Sequence, residues 1–243
     1  MIAAIRRVVP GLFYGWVVVA AAVLVVALSA GVRFSFGVAV PAMQRRWTLE
    51  ALSLAVVVNS VVVGAAQPFV GRLVDRAGAR AVLAGGLALV GLATLGMAGA
   101  SEVWQLWLTY GVLGGLGFAA TLQLAASILA ARWFVARRGL VVGLVQSGGS
   151  IASFLVLPIA TYLIERIGWP DFYRVTGLAL LLVIPATWAL IRNSPEDLGL
   201  VADGRAHRPV SQPVPPPDAG PRPSVTAVLG STTFYRLTFG LFV

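Results

Sequence analysis

Arg33 is the one charged residue inside the six span-length apolar runs of this 243-residue chain. It lies 21 residues past Leu12, where its run begins, or about 31 Å along a helix at 1.5 Å per residue. A guanidinium in hydrocarbon is costly, so it is placed there for a reason or escapes to the edge. It can hold an anion that enters from the nearer face, or its long stem can carry the charge out to the headgroups; both readings stay open. Asn59, Gln123 and Gln146 raise the same problem, because an amide in lipid needs a hydrogen-bond partner. By depth, Asn59 pairs with Arg33 toward the outer side and Gln123 with Gln146 toward the cytoplasmic side. Such amides serve either as interhelical bonds or as substrate contacts. Ser147 and Ser150 fall within about a turn of Gln146 and extend it into a polar stripe. Arg33, Asn59, Gln123, Gln146, Ser147 and Ser150 are therefore the candidate substrate-pocket residues.

Catalytic and metal chemistry find no residues to use. Cysteine is absent, and the single histidine, His207, sits among prolines. Asp75, Glu102 and Glu165 fall at the ends of apolar runs, with no pair of acids and no nucleophile beside a base. An enzyme, a metal site and a cofactor are not expected. Gly111, Gly114, Gly115 and Gly117 lie inside an apolar run rather than between a strand and a helix, which excludes a nucleotide cradle. Their small-residue spacing, like that of Gly139 and Gly143, suits close helix packing.

The elements that must position these residues follow from composition. Hydrophobic residues make up 58% of the chain and charged ones 11%, with a mean hydropathy of +0.89, too apolar for a soluble domain of this length. Apolar runs cover residues 12–40, 52–70, 81–100, 103–131, 139–164 and 175–191. A helix needs about 20 residues to cross the hydrocarbon, and unbroken runs without alternation exclude a barrel, so six membrane helices are expected. The net charge of +9 comes from 18 arginines and no lysine. They are parcelled between runs rather than gathered on one face, which argues against nucleic acid. Twelve fall in the N-terminal segment and alternate loops and four in the others, placing the N-terminus in the cytoplasm. Trp16, Trp104, Trp107, Trp169 and Tyr173 lie near run ends and read as interfacial anchors.

The first run of each set of three is its longest, 29 residues both times. An odd-numbered unit repeated must enter the membrane from opposite sides, so the pattern predicts a 3+3 inverted repeat of the kind secondary transporters use. Residues 1–191 are thus expected as a six-helix bundle. Residues 192–226 hold eight of the chain's 14 prolines and read as an extended, poorly ordered cytoplasmic linker. Residues 227–243 turn apolar again and read as the start of a seventh helix.

A second constellation lies between the second and third runs. The stretch GRLVDRAGAR at residues 71–80 reads as a polar loop carrying Gly71, Asp75, Arg76, Gly78 and Arg80. Its pattern, G-x-L-x-D-R-x-G-x-R, resembles the signature loop between helices two and three of the major facilitator superfamily. YGWVVVAAA (14–22), SFGVAVP (35–41), AQPFVGRLVDR (66–76), RWFVARRGL (132–140) and SPEDLGL (194–200) resemble its oxalate/formate antiporter and monocarboxylate porter branch.

The resemblance implies an all-α membrane protein: the N-terminal half of a twelve-helix secondary transporter, multi-pass in the cell (inner) membrane. Its partners would be a small organic anion, protons as the possible coupling ion, the lipid bilayer and the missing C-terminal half-bundle. Transport would be antiport or proton symport of a monocarboxylate or dicarboxylate by alternating access. Other readings are a facilitator for another small solute or drug, and a non-transporting scaffold or channel subunit. Two departures count against a drug exporter. Tyr110 stands where drug and sugar antiporters often carry a coupling arginine, and Ser147-Gly148-Gly149 lacks their proline. The functional lysine of monocarboxylate porters falls at Phe34, one residue from Arg33. At the cytoplasmic face, Asp75 with Arg76, Arg80 and Arg132 is expected to form an ionic gate.

Overall fold

A computed structural model describes residues 13–204, and all their regular structure is helical. Among the described residues, five helices are long and apolar enough to cross a membrane: α1 (Tyr14–Met43), α2 (Leu49–Ala77), α3 (Ala79–Ala98), α4 (Val103–Trp133) and α5 (Arg138–Leu190). Short 3-10 turns follow at Pro195–Leu198 and Ala202–Gly204.

Local chemistry sets the ends. Thr48 caps α2 by accepting the Ala51 N–H at 3.3 Å, with Glu50 in the first turn against the positive helix end. Glu102 and Gln105 form a capping box at the start of α4.

The signature stretch is not the loop its polarity suggests. α2 stays helical through Ala77, and α3 starts at Ala79, so the chain turns on Gly78 alone. Its φ of +83° is open to glycine and costly for other residues. Gly71, Asp75 and Arg76 are therefore helical residues at fixed angles on α2, and Arg80 lies in the first turn of α3. The expected break around residues 165–174 is equally small. α5 runs through it as one 53-residue helical stretch, interrupted at Gly168 with φ +81°.

α4 is less regular than a continuous apolar run predicts. It holds a π-helical stretch at Trp107–Gly114 and breaks at Leu122–Gln123 before resuming at Leu124–Trp133. A second π turn, Ala152–Val156, lies in α5. π turns cost regular hydrogen bonding and persist where packing or function holds them.

Two apolar cores form along the bundle. One gathers Val18, Val74, Leu83, Leu129, Trp133 and Val145 toward the signature end. The other gathers Phe36, Leu52, Leu87, Phe118 and Tyr173 toward the opposite end. α3 packs on α4 and on the second part of α5, α1 on the first part of α5, and α2 on α4 more than on α3 beside it. Close crossing of α3 and α4 depends on small residues: a Cβ at Gly117 would lie 2.8 Å from the Val90 backbone nitrogen. Gly139 and Gly143 make no such approach, their Cβ positions being open. Gly148 is the α5 glycine pressed against α1, at Val26 and the Val23 carbonyl.

Trp169 and Tyr173 are not interfacial anchors. They are buried with Trp47, whose ring centroid lies 5.6 Å from that of Trp169. Trp104 is 58% exposed. The start of the proline-rich stretch is folded rather than extended: Pro195 is buried, and Leu198 and Leu200 pack on the first core. The remainder of the expected linker and the expected seventh helix, residues 205–243, lie outside the described residues.

Candidate functional site

Arg33 sits where α1 meets α4, half-buried, its guanidinium carbon 6.0 Å from the Phe118 ring centroid. Its backbone carbonyl accepts a bond from the Tyr110 hydroxyl at 3.4 Å. The Tyr110 ring stacks on Phe36 of α1 with centroids 4.0 Å apart and 15° between planes. No carboxylate pairs with Arg33 among the described residues. A guanidinium within a membrane helix is costly, and a cation-π contact at this distance returns only about 0.5–1 kcal/mol. The charge is thus only partly compensated by the described residues around it.

Asn59 does not pair directly with Arg33. Its Nδ2 donates to the Tyr110 carbonyl at 2.8 Å, inside the π stretch of α4. Asn59 is 1% exposed, and its Oδ1 is buried without a partner. Tyr110 therefore links the two: α2 holds its carbonyl, and its hydroxyl holds α1. The Gln123–Gln146 pairing is not formed either. Gln123 lies in the α4 break and is exposed, Gln146 is exposed on α5, and no hydrogen bond joins them. Ser147 returns its hydroxyl to the Leu144 carbonyl at 2.7 Å, while Ser150 is exposed. Arg33 and Asn59 are brought together through Tyr110, while Gln123, Gln146, Ser147 and Ser150 join that group by no hydrogen bond.

The charged end is built differently from the expected gate. Arg132 Nη2 lies 3.9 Å from Asp75 Oδ1, tying α4 to α2. Their side chains are 38% and 76% exposed, so the pair contributes about 0.2–1 kcal/mol at most. Arg80 does not join Asp75. Its Nε donates to the Trp188 carbonyl at 2.7 Å, and its guanidinium lies 4.1 Å from the Trp188 ring centroid. Arg76 makes no ion pair among the described residues. Gly71 is placed where a Cβ would sit 3.9 Å from Leu124, an ordinary contact across α2 and α4.

Residues near the end of α5 complete this region and were not singled out by the sequence. Asn193 Oδ1 accepts the Arg80 N–H at 2.8 Å, capping α3 from 113 residues away. A Cβ on Gly78 would stand 2.5 to 2.7 Å from the Asn193 side chain, so glycine is required there for space as well as for φ. Trp133 Nε1 donates to the Arg192 carbonyl at 3.0 Å, and the Tyr14 hydroxyl to the Leu190 carbonyl at 2.9 Å. Asp203 receives the N–H groups of Val135 and Ala136 at 3.1 and 2.8 Å, bringing an acid to the turn between Arg132 and Arg138. The available signal was slight: an asparagine directly before SPEDLGL.

The family model of the Major Facilitator Superfamily matches residues 7–243. The chain is 32% identical over 231 residues to human monocarboxylate transporter 11, covering 94% of the chain and 45% of that protein. It is 32% identical over 238 residues to monocarboxylate transporter 13 of Bos taurus, covering 94% and 50%. An uncharacterised MFS-type transporter of Bacillus subtilis is 26% identical over 133 residues, 55% of the chain and 33% of that protein. The chain spans about half the length of these two monocarboxylate transporters. With its helical architecture and its signature turn at Gly78, the chain belongs to the Major Facilitator Superfamily, a family of membrane transporters rather than enzymes.

Proposed function

We propose that this chain forms the first half-bundle of a secondary transporter for a small organic anion, a monocarboxylate or dicarboxylate, working by alternating access. The observation that carries the reading is Arg33: an undercompensated charge at the α1–α4 contact, its backbone held by Tyr110. The names of the matched relatives support a monocarboxylate as the first substrate to try. Asn59, with a free buried Oδ1 one residue-link away, is the second pocket residue. Gln123, Gln146, Ser147 and Ser150 are assigned to the cavity wall because exposed polar groups on membrane helices are best served by water or a partner half.

In this reading Gly168 divides α5 into two spans, giving six helices with the N-terminus in the cytoplasm of a cell-membrane protein. The contact pattern supports a 3+3 inverted repeat. Exchange of the two triplets turns the packing of helix one on five into that of four on two, and returns three on six to itself. Residues 1–191 are read as the bundle and 192–226 as the cytoplasmic linker; the expected start of a seventh helix at 227–243 lies outside the described residues. Asp75 and Arg132 form the ionic part of the gate at the cytoplasmic face, and a proton or a second anion drives exchange.

Uptake into proteoliposomes carrying the intact gene product tests this. Labelled lactate and oxalate, driven by a pH gradient or by internal anion, are compared with a neutral sugar and a lipophilic cation. Saturable entry of a carboxylate is expected; entry of the sugar or cation alone overturns the anion assignment.

A further inference from the structure

A groove of about 880 Å3 opens between α2 and α3, with α4 as its floor. Val62, Phe69 and Leu73 form one wall, Gly85 part of the other, and Val112 and Leu116 the base. Every lining residue is alanine, glycine, valine, leucine or phenylalanine. Phe69 is 66% exposed and Leu73 50%, so the groove is open along its side. It is turned away from Arg33. Tyr110 and Phe118 meet α1 from one face of α4, and Val112 and Leu116 lie two residues on from Tyr110 and back from Phe118, where side chains do not share a face.

From Val62 to Leu73 the groove is about 16 Å long, near half of a hydrocarbon core about 30 Å thick. It therefore has the depth of one leaflet. Its charged end is equally specific. The helical stripe through Phe69 continues to Arg72 and Arg76, three and seven residues on, and the Arg72 guanidinium lies 5.8 Å from the Phe69 ring centroid. Asp75, which could neutralise them, is paired with Arg132 on α4. Neither arginine pairs with a carboxylate among the described residues. A wholly apolar slot of leaflet depth, ending in two unpaired guanidinium groups just past the apolar run 52–70, suits an anionic lipid in charge and in shape.

We propose that this groove seats an acyl chain of an anionic glycerophospholipid, with Arg72 and Arg76 holding its phosphate. The site rests on the chain's membrane embedding, not on the carboxylate reading, so loss of uptake by an Arg33 variant leaves it standing. Bound lipid would couple the α2–α3 angle to membrane charge, beside the Gly78 turn on which that angle depends.

The purified chain is delipidated and offered equal phosphatidylglycerol and phosphatidylcholine, and retained lipid is counted by native mass spectrometry. Two arginines near an anionic headgroup predict a phosphatidylglycerol preference of roughly tenfold or more. In the double variant Arg72→Gln, Arg76→Gln the preference falls toward one. Gly85→Leu, placed where a Cβ meets nothing within 4 Å, fills the slot and lowers retention of both lipids. Circular dichroism confirms helix content, and if the arginine variant misfolds, Gly85→Leu decides alone. Equal retention of the two lipids by the unaltered chain, or undiminished retention in Gly85→Leu, overturns the proposal. Because the chain has no cysteine, Phe69→Cys adds a single thiol. Its cross-linking to a second copy across the groove would assign the slot to protein and overturn it as well.

Discussion

Asn193 accepts the backbone N–H of Arg80 at 2.8 Å while its side chain fills the space that a Cβ on Gly78 would need. One asparagine beyond the end of α5 thus caps α3 and depends on the turn between α2 and α3. The signature turn is a junction of three helices rather than a connection between two.

This junction sets a stability order. Asn193→Ala removes the cap and should cost about 1 kcal/mol. Gly78→Ala should cost more, because it adds strain at φ +83° to the clash with Asn193. Thermal unfolding in detergent, followed by size-exclusion fluorescence, is expected to rank wild type above Asn193→Ala and Asn193→Ala above Gly78→Ala. Partial rescue of Gly78→Ala by Asn193→Gly would identify the clash as the larger part.

Tyr110 should separate packing from bonding. Tyr110→Ala removes a ring stacked on Phe36 and buried to 3% exposure, and the loss of an aromatic from such a site costs about 3–5 kcal/mol. Tyr110→Phe keeps the stack and loses only the hydroxyl bond to Arg33, a cost of about 0.6 kcal/mol by the membrane average. Folding yield should therefore fall sharply for the alanine variant and little for phenylalanine. In the phenylalanine variant the KM for the transported anion should rise with Vmax nearly kept, since only the support of Arg33 has changed.

Much of the fold was legible because lipid leaves few choices. The apolar runs, the charge between them and the packing glycines of α4 follow from the cost of unsatisfied backbone and the need for close helix contact. Polarity misleads at residues 71–80: a hydrophilic stretch reads as a loop, yet α2 stays helical through Ala77. The pairing of amides by depth failed for a related reason. Depth gives position along a helix but not the angle around it, and the π stretch Trp107–Gly114 turns α4 by an amount no apolar pattern reveals. Asn59 therefore met the Tyr110 carbonyl instead of Arg33. Asn193 was invisible as a cap because its helix lies 113 residues earlier in the chain.

The Asp75–Arg132 pair should matter to motion more than to stability. At 3.9 Å and largely in solvent, a double-mutant cycle with Asp75→Asn and Arg132→Ala should give a coupling of about 0.2–1 kcal/mol in unfolding. If the pair holds the gate, either variant in the intact gene product should shift the balance of inward and outward states, read by accessibility of a cysteine introduced at Ser147. Unchanged accessibility and unchanged transport would remove the pair from the mechanism.

The central claim is that Arg33 holds the anion, and substrate-concentration series with Arg33 variants test it most directly. In proteoliposomes carrying the intact gene product, Arg33→Gln should lower carboxylate Vmax/KM at least tenfold with folding intact. Arg33→Lys should recover part of the loss by restoring the charge without the fork geometry. Carboxylate uptake by Arg33→Gln equal to that of the unaltered protein would contradict the account and leave Arg33 as a residue that carries its charge out to the headgroups.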